Sequence, residues 1–303
     1  MKTHAMPDQP GVEPSARLRP RQWLGLAILL AGALVLGARS WQSLVRLPHL
    51  GEALLLGGGA ALATALGVLP MLLLRAPRQR TQDTLLGFGA GVMLAATSFS
   101  LINPALAAAG VDGPDPWGPA LGVGASLLFG AGLLMLIERW LPHEHFFGGA
   151  GAAGPARMRR VTLFVLAIVL HNVPEGMAIG VAAAGADPAG ASALAMGISI
   201  QDVPEGLVVA LALHGAGVRR LQAAGLGALS GLVEPVAAVL SAAAVGLFQG
   251  LLPWGLALAA GAMLFVISHE MIPESHRQGH ELAATNGLML GFVLMMLFDT
   301  ALS

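Results

Sequence analysis

Long apolar runs alternate with short polar segments along the whole chain. A hydrocarbon core about 30 Å thick requires roughly 20 apolar residues per helical span, so runs of this length predict helices that cross a membrane. Nine runs qualify, and together they predict an all-α, polytopic bundle of transmembrane helices, at 22–38, 51–74, 83–109, 118–141, 161–186, 190–213, 221–247, 251–273 and 284–302.

The first of these runs follows a polar, Pro-rich segment, residues 1–21. No small-residue cleavage site comes after the run, so we expect a polar tail before a retained helix rather than a cleaved signal peptide. Residues 22–303 are then predicted to form a single transmembrane domain.

The positions of the basic residues predict the orientation. If the N-terminus is cytoplasmic, the outer segments hold only Arg39 and Arg46 of the 16 Lys and Arg residues. Because cytoplasmic loops carry the excess of Lys and Arg, this distribution favours a cytoplasmic N-terminus and an external C-terminus.

Composition narrows the class of protein further. The chain is 55% hydrophobic and 11% charged, with a mean hydropathy of +0.74. About a quarter of the residues of a typical soluble domain are charged, so the lipid bilayer is the expected environment, and we expect no nucleic-acid partner. The chain has no cysteine, which excludes disulfides and thiolate ligands to a metal. Its richness in alanine and glycine suggests a bacterial inner membrane.

Two hexapeptides thirty residues apart repeat one pattern, (His/Gln)-(Asn/Asp)-Val-Pro-Glu-Gly, at 171–176 and 201–206. Each lies inside an apolar run, where polar and ionisable groups are costly and are usually functional. Positions i and i+4 share a helix face, so His171 should lie beside Glu175, and Gln201 beside Glu205. Their prolines, which remove a helical hydrogen bond, predict kinked helices.

A further carboxylate, Glu234, precedes Pro235 in the middle of the seventh run, which predicts a third kinked helix at 221–247. The intramembrane glutamates and Asp202 cannot all be ionised without a counter-charge, and no Lys or Arg is predicted at that depth. The cluster therefore binds cations, relays protons, or is a satisfied polar network that only fixes packing. We favour a cation site.

The side-chain types narrow the choice of metal. One imidazole with several carboxylate and amide oxygens suits Zn²⁺, Mn²⁺, Fe²⁺, Co²⁺ or Cd²⁺. Two glutamates between a histidine and an aspartate could bridge two ions. The candidate ligands are His171, Asn172, Glu175, Gln201, Asp202, Glu205, Glu234 and Met93. A methionine such as Met93 is more often a core residue than a ligand.

Other polar residues predict a transport pathway on either side of the cluster. His269 and Glu270 lie near the inner end of the eighth run, below the central site. The remaining candidates are His276, His280, Asp83, His143 and His145 on the inner side, and Ser100, Asp112 and Asp299 toward the outer side. Ordinary interfacial or solvated polarity would explain several of them equally well.

At the two hexapeptides the chain resembles the Zrt/Irt-like (ZIP) family of divalent-metal transporters. The first matches the family's His-Asn-x-Pro-Glu-Gly signature, the second its related signature, and His269-Glu270 matches a His-Glu pair in the family's seventh helix. The resemblance covers about residues 50–303, so the family accounts for eight helices and 22–38 would be an extra N-terminal one.

The resemblance implies a binuclear site at mid-membrane, with Zn²⁺ or a similar divalent cation (Cd²⁺, Fe²⁺ or Mn²⁺) as the transported substrate and no cofactor. His171, Glu175, Gln201, Glu205 and Met93 would form one position. Asn172, Asp202 and Glu234 would form the other, with both glutamates bridging. It also implies alternating access, in which a four-helix unit slides against the remaining helices, and a homodimer. Many eukaryotic members have histidine where this chain has Gln201.

Two functions of other classes compete with a transporter that moves divalent metal ions toward the cytoplasm. A membrane-embedded metalloenzyme would use bound metal to activate water, but the chain has neither an HExxH motif nor paired Glu-x-x-His motifs. A proton-coupled carrier of an organic solute would present half-helix N-termini to an anionic ligand, whereas this cluster consists mainly of acceptors. We therefore expect a transporter and not an enzyme.

Overall fold

A computed structural model describes residues 32, 48–74, 77–140 and 155–302. The described residues from 48 onward belong to one compact unit, Leu47–Ser303. The predicted tail at 1–21, the predicted helix at 22–38, and His143 and His145 lie outside the described residues, apart from residue 32 itself.

The described residues form eight helices that are long and apolar enough to cross a membrane, and no strand. The chain is thus an all-α integral membrane protein, as the apolar runs predict. In chain order we label these helices α1 (His49–Leu73), α2 (Gln79–Ala109), α3 (Trp117–Trp140), α4 (Pro155–Ala183), α5 (Pro188–Gly215), α6 (Arg220–Leu247), α7 (Gln249–His276) and α8 (Glu281–Leu302).

Helix α6, for which the sequence predicts a kink at Pro235, is interrupted near that proline. Its two parts, Arg220–Ser230 and Val233–Leu247, are separated by a turn at Gly231 and Leu232. Pro235 has no N–H to donate to the Gly231 carbonyl, so an unbroken helix would lose that hydrogen bond. The carbonyl instead accepts from the Glu234 backbone N–H at 3.1 Å. Glu234 therefore lies in the first turn of the second part, at an irregularity in the bundle.

Two other helices contain a segment of π-helix. In α2 this segment is Ala96–Ile102, and in α7 it is Ile267–Met271. Such segments are rare and often mark functional positions. The first contains Ser100 and the second contains His269 and Glu270, so both π segments carry residues that the sequence analysis places on a transport pathway.

The helices that carry the two hexapeptides and Glu234 lie together. Helices α1, α4, α5 and α6 pack against one another. Outside this group, α8 packs along α2, and α7 packs along α3. Helix α2 also contacts α5, and α7 contacts α4. The ligand candidates on α4, α5 and α6 therefore belong to one four-helix group, flanked by the pairs α2–α8 and α3–α7.

The last residue of each hexapeptide permits a close helix contact. A Cβ on Gly176 would lie 2.8 Å from the Glu234 Cα, and one on Gly206 would collide with the Thr64 carbonyl. Small residues allow helix backbones to approach in this way. The two glycines thus bring α6 against α4 and α1 against α5, which places Glu234 and Thr64 beside the polar side chains of the hexapeptides.

Candidate metal centre

Three carboxylates form the centre of the cluster. Glu175 on α4 and Asp202 and Glu205 on α5 each offer an oxygen, and these atoms lie within 4.8 Å of one another. Glu175 and Asp202 are almost fully buried, and Glu205 is partly buried. Carboxylate oxygens at this separation repel one another unless protons or a cation lie between them.

Gln201 connects the carboxylates of the two hexapeptides. Its Nε2 donates to Glu175 Oε1 at 2.5 Å and to Asp202 Oδ1 at 2.8 Å. Because both amide hydrogens are used in this way, the other end of the amide, Gln201 Oε1, is an acceptor that points elsewhere.

Asn172 on α4 donates to the Glu234 carboxylate, much as Gln201 donates to those of Glu175 and Asp202. Asn172 Nδ2 donates to Glu234 Oε1 at 3.2 Å and to the Ser230 carbonyl at 3.3 Å. Thr64 Oγ1, from α1, lies 3.2 Å from the same Glu234 Oε1. Helices α1, α4 and α6 thus all contribute to this half of the cluster.

The polar atoms that remain in the cluster all suit a cation. On the residues of the cluster, five buried oxygens have no N–H or O–H donor within the described part of the chain: Asn172 Oδ1, Glu175 Oε2, Gln201 Oε1, Asp202 Oδ2 and Glu234 Oε2. Buried acceptors without a donor are costly. The sequence has no Lys or Arg between residues 161 and 218 or between 221 and 276 to supply a positive charge. This set of oxygens fits a divalent metal ion.

His171 lies at the edge of the cluster and connects it to α7. Its Nε2 is 3.1 Å from Glu270 Oε2, and its Nδ1 is 3.0 Å from the Ala167 carbonyl. His171 and Glu270 both line two small cavities. The larger, of about 20 Å³, also reaches Glu205 and Glu274, and the smaller, of about 10 Å³, reaches Glu138. The larger has room for about one water molecule or one ion.

Helix α2 carries two of the candidates, Ser100 and Met93. Ser100 donates to Asp299 Oδ1 on α8 at 2.6 Å, which brings these two together. Met93 is buried. A Cβ on Gly89, one turn earlier, would lie 3.7 Å from Gln201 Oε1, so this face of α2 is directed at the cluster. Asp112 is exposed and lies in the turn that follows α2.

The candidates on the predicted inner side form separate contacts rather than one group. Asp83 Oδ2 on α2 lies 2.7 Å from His280 Nδ1, and Asp83 Oδ1 accepts from Gln79. His276 Nε2 lies 3.3 Å from Thr285 Oγ1.

Two consecutive residues of the π segment in α7 lead in different directions. His269 Nε2 lies 3.3 Å from Glu138 Oε1 on α3. The His269 side chain is 59% exposed, whereas its neighbour Glu270 contacts the cluster through His171. The two residues of the His-Glu pair therefore occupy different environments.

Two residues that contact the site, Thr64 and Glu138, are not among the candidates from the sequence. Thr64 is the only residue with a hydrogen-bonding side chain between residues 53 and 74. That isolation in an Ala- and Gly-rich helix is a signal that could have singled it out. Glu138 stands beside Arg139 near a helix end, where charge is ordinary, and nothing in the sequence connects it to His269.

Comparisons with known proteins identify relatives of this chain. A family model described as "ZIP Zinc transporter" matches residues 149–299, a range that includes both hexapeptides and Glu234. The chain is 48% identical to the zinc transporter ZIPB of Bordetella bronchiseptica over 295 residues, 95% of this chain and 94% of that protein.

Two further relatives extend the comparison. The zinc transporter GufA of Myxococcus xanthus is 45% identical over 243 residues, 80% of this chain and 96% of its own. The human zinc transporter ZIP11 is 44% identical over 161 residues, which are 51% of this chain and 47% of that protein.

Proposed function

The chain belongs to the ZIP family of zinc transporters, and from that premise we propose that it moves Zn²⁺ across the membrane through the cluster on α4, α5 and α6. Membership makes it an integral membrane transporter of metal ions, in a family of transporters rather than enzymes. The observation that carries the proposal is the set of five buried oxygens without donors, surrounded by carboxylates and lacking Lys or Arg.

The cluster would hold two ions in adjacent positions. The first would lie among His171, Gln201 and Met93, and the second among Asn172, Asp202 and Glu234. Glu175 and Glu205 would bridge the two, since their oxygens lie within 4.8 Å of each other and of Asp202. In support, Asn172 and Gln201 both direct their N–H groups at carboxylates, which leaves their oxygens available to a metal.

The arrangement around His171 supports a direction of travel toward α7. In this structure His171 is paired with Glu270 and lines a cavity that Glu205 and Glu274 share. An ion leaving Glu205 through this cavity would meet Glu270 next. With the orientation predicted from the basic residues, this movement is toward the cytoplasm, across what we propose to be a bacterial inner membrane.

The packing supports alternating access. All the carboxylates of the cluster lie on α4, α5 and α6, in the four-helix group that includes α1. A rigid displacement of this group against the pairs α2–α8 and α3–α7 would move the ions without rearranging their carboxylate ligands. Such a site would also accept Cd²⁺, Fe²⁺ and Mn²⁺, because oxygen and imidazole ligands suit all of these ions. We also propose that the protein works as a homodimer.

Uptake into liposomes tests the proposal. Purified protein is reconstituted, and entry of labelled Zn²⁺ and Cd²⁺ is compared with that of the Glu175→Ala and Asp202→Ala variants. We expect Glu175→Ala to abolish uptake more completely than Asp202→Ala, because Glu175 would contact both ions. Near-normal uptake by both variants would contradict the bridging role, and no uptake by the wild-type protein would contradict transport.

A further inference from the structure

The two oxygens of the Glu234 carboxylate have different environments. Oε1 lies 3.2 Å from Thr64 Oγ1 and 3.2 Å from Asn172 Nδ2, so two donors converge on it. Oε2 is buried and has no donor. Hydrogen bonds to one oxygen of a carboxylate fix the rotation of the whole group, and here they leave the other oxygen available to a cation.

The surroundings of Thr64 leave room for its contact with Glu234. Thr64 is 2% exposed, on a helix that is otherwise apolar near this point. A Cβ on Gly231 would lie 3.0 Å from Thr64 Oγ1, and one on Gly206 would collide with the Thr64 carbonyl. The helix break before Glu234 and the last residue of the second hexapeptide therefore both leave room for this threonine.

Thr64 also has an alternative partner. Its Oγ1 lies 3.3 Å from the Ala60 carbonyl, the bond that a helical threonine makes with its own backbone. A hydroxyl carries a single proton and can donate to only one acceptor at a time. Since a carboxylate is the stronger acceptor, the proton belongs to Glu234 whenever that group is ionised.

We propose that Thr64 is a positioning residue for the second metal position, where it holds Glu234 Oε1 so that Oε2 contacts the ion. This role rests on the proposed function, which places Glu234 among the ligands of that ion. Thr64 itself does not contact the metal. It adds α1 to the helices that determine the geometry of the site, and through Glu234 it affects one of the two positions and not the other.

Stepwise zinc titration of the purified full-length protein tests this role, with bound ions counted by equilibrium dialysis and affinities measured by calorimetry. Thr64→Val keeps the branched shape and removes the hydroxyl, Thr64→Ala removes it in a smaller side chain, and Thr64→Ser retains it. The matched control is Thr97→Val, because Thr97 is also fully buried but donates only to the Met93 carbonyl of its own helix.

We expect Thr64→Val and Thr64→Ala to weaken the binding of one of the two ions about three- to tenfold, the range for one hydrogen bond. The other ion should bind within about twofold of wild type, and Thr64→Ser and Thr97→Val should bind both normally. A threonine that only fills space would instead lower the melting temperature of the metal-free protein and leave both affinities unchanged.

The outcomes distinguish a failure of the role of Thr64 from a failure of the proposed two-ion site. Two ions bound with unchanged affinities in folded Thr64→Val and Thr64→Ala would overturn the role of Thr64 alone. Equal weakening of both ions would also overturn it, because Glu234 serves only one position. A wild-type protein that binds a single ion would overturn the two-ion site, and with it this inference.

Discussion

Replacing Glu175 by glutamine should stabilise the metal-free protein and weaken its response to zinc. Glu175 shares the centre of the cluster with Asp202 and Glu205, with oxygens within 4.8 Å of one another. Two ionised carboxylates at that distance repel by about 3 kcal/mol at an effective dielectric constant of about 20. Glutamine removes the charge but keeps an oxygen that can accept from Gln201, as Glu175 Oε1 does.

The size of the effect follows from the number of pairs. Glu175 takes part in two of the three pairs, so its neutralisation relieves about 6 kcal/mol if all three carboxylates are ionised, and less where protons already relieve the repulsion. Zinc acts in the opposite sense, because a ligand that binds only the folded state at about 100 times its Kd stabilises it by about 2.7 kcal/mol. Removing a bridging carboxylate should reduce that gain.

Thermal unfolding of the purified protein in detergent, with and without zinc, measures both effects. Metal-free Glu175→Gln should melt at a higher temperature than metal-free wild type. Zinc should raise the melting temperature of the variant by less than half of the increase that it causes in wild type. Glu281→Gln is the control, since Glu281 is an exposed carboxylate in the first turn of α8. A metal-free Glu175→Gln that melts below wild type and keeps the full zinc response would refute the reasoning.

Three other perturbations have defined outcomes. Zinc affinity, measured by calorimetry, should fall from neutral to mildly acidic pH because protons compete for carboxylates and imidazole; equal affinity at both would contradict this. Gly176→Ala should cost about 1–3 kcal/mol in denaturant unfolding, since its Cβ would meet α6, whereas Gly59→Ala, with open space around it, should not. Asp83→Ala should cost about 1–3 kcal/mol by removing the buried acceptor of Gln79 and His280; an unchanged midpoint would show that these bonds contribute nothing.

The membrane spans could be predicted because their cause is local. A run of about 20 apolar residues crosses a bilayer whatever its neighbours do, and eight of the nine predicted runs correspond to α1–α8 within a few residues at most ends. The ninth, 22–38, stays a prediction. The interruption of α6 was harder to predict from the sequence. Pro235 predicts the loss of a helical hydrogen bond, but not whether the helix bends there or ends and restarts.

The contacts between helices could not be predicted in the same way. The hexapeptides indicate which side chains are costly to bury, but not that His171 would pair with Glu270 or that Thr64 would meet Glu234. Both contacts depend on how α4 lies against α7 and α1 against α6. The π segments have no compositional signature, since a single changed hydrogen-bond register creates them.

Locating the metal tests the central claim most directly. X-ray data collected at the zinc absorption edge, from crystals grown with Zn²⁺, would show each bound ion as an anomalous peak. A two-ion site predicts two peaks flanked by Glu175 and Glu205, one beside Gln201 and one beside Glu234, with ligand oxygens at about 2.0–2.2 Å. Zinc found only at exposed groups such as His269, with no peak among the buried carboxylates, would contradict it.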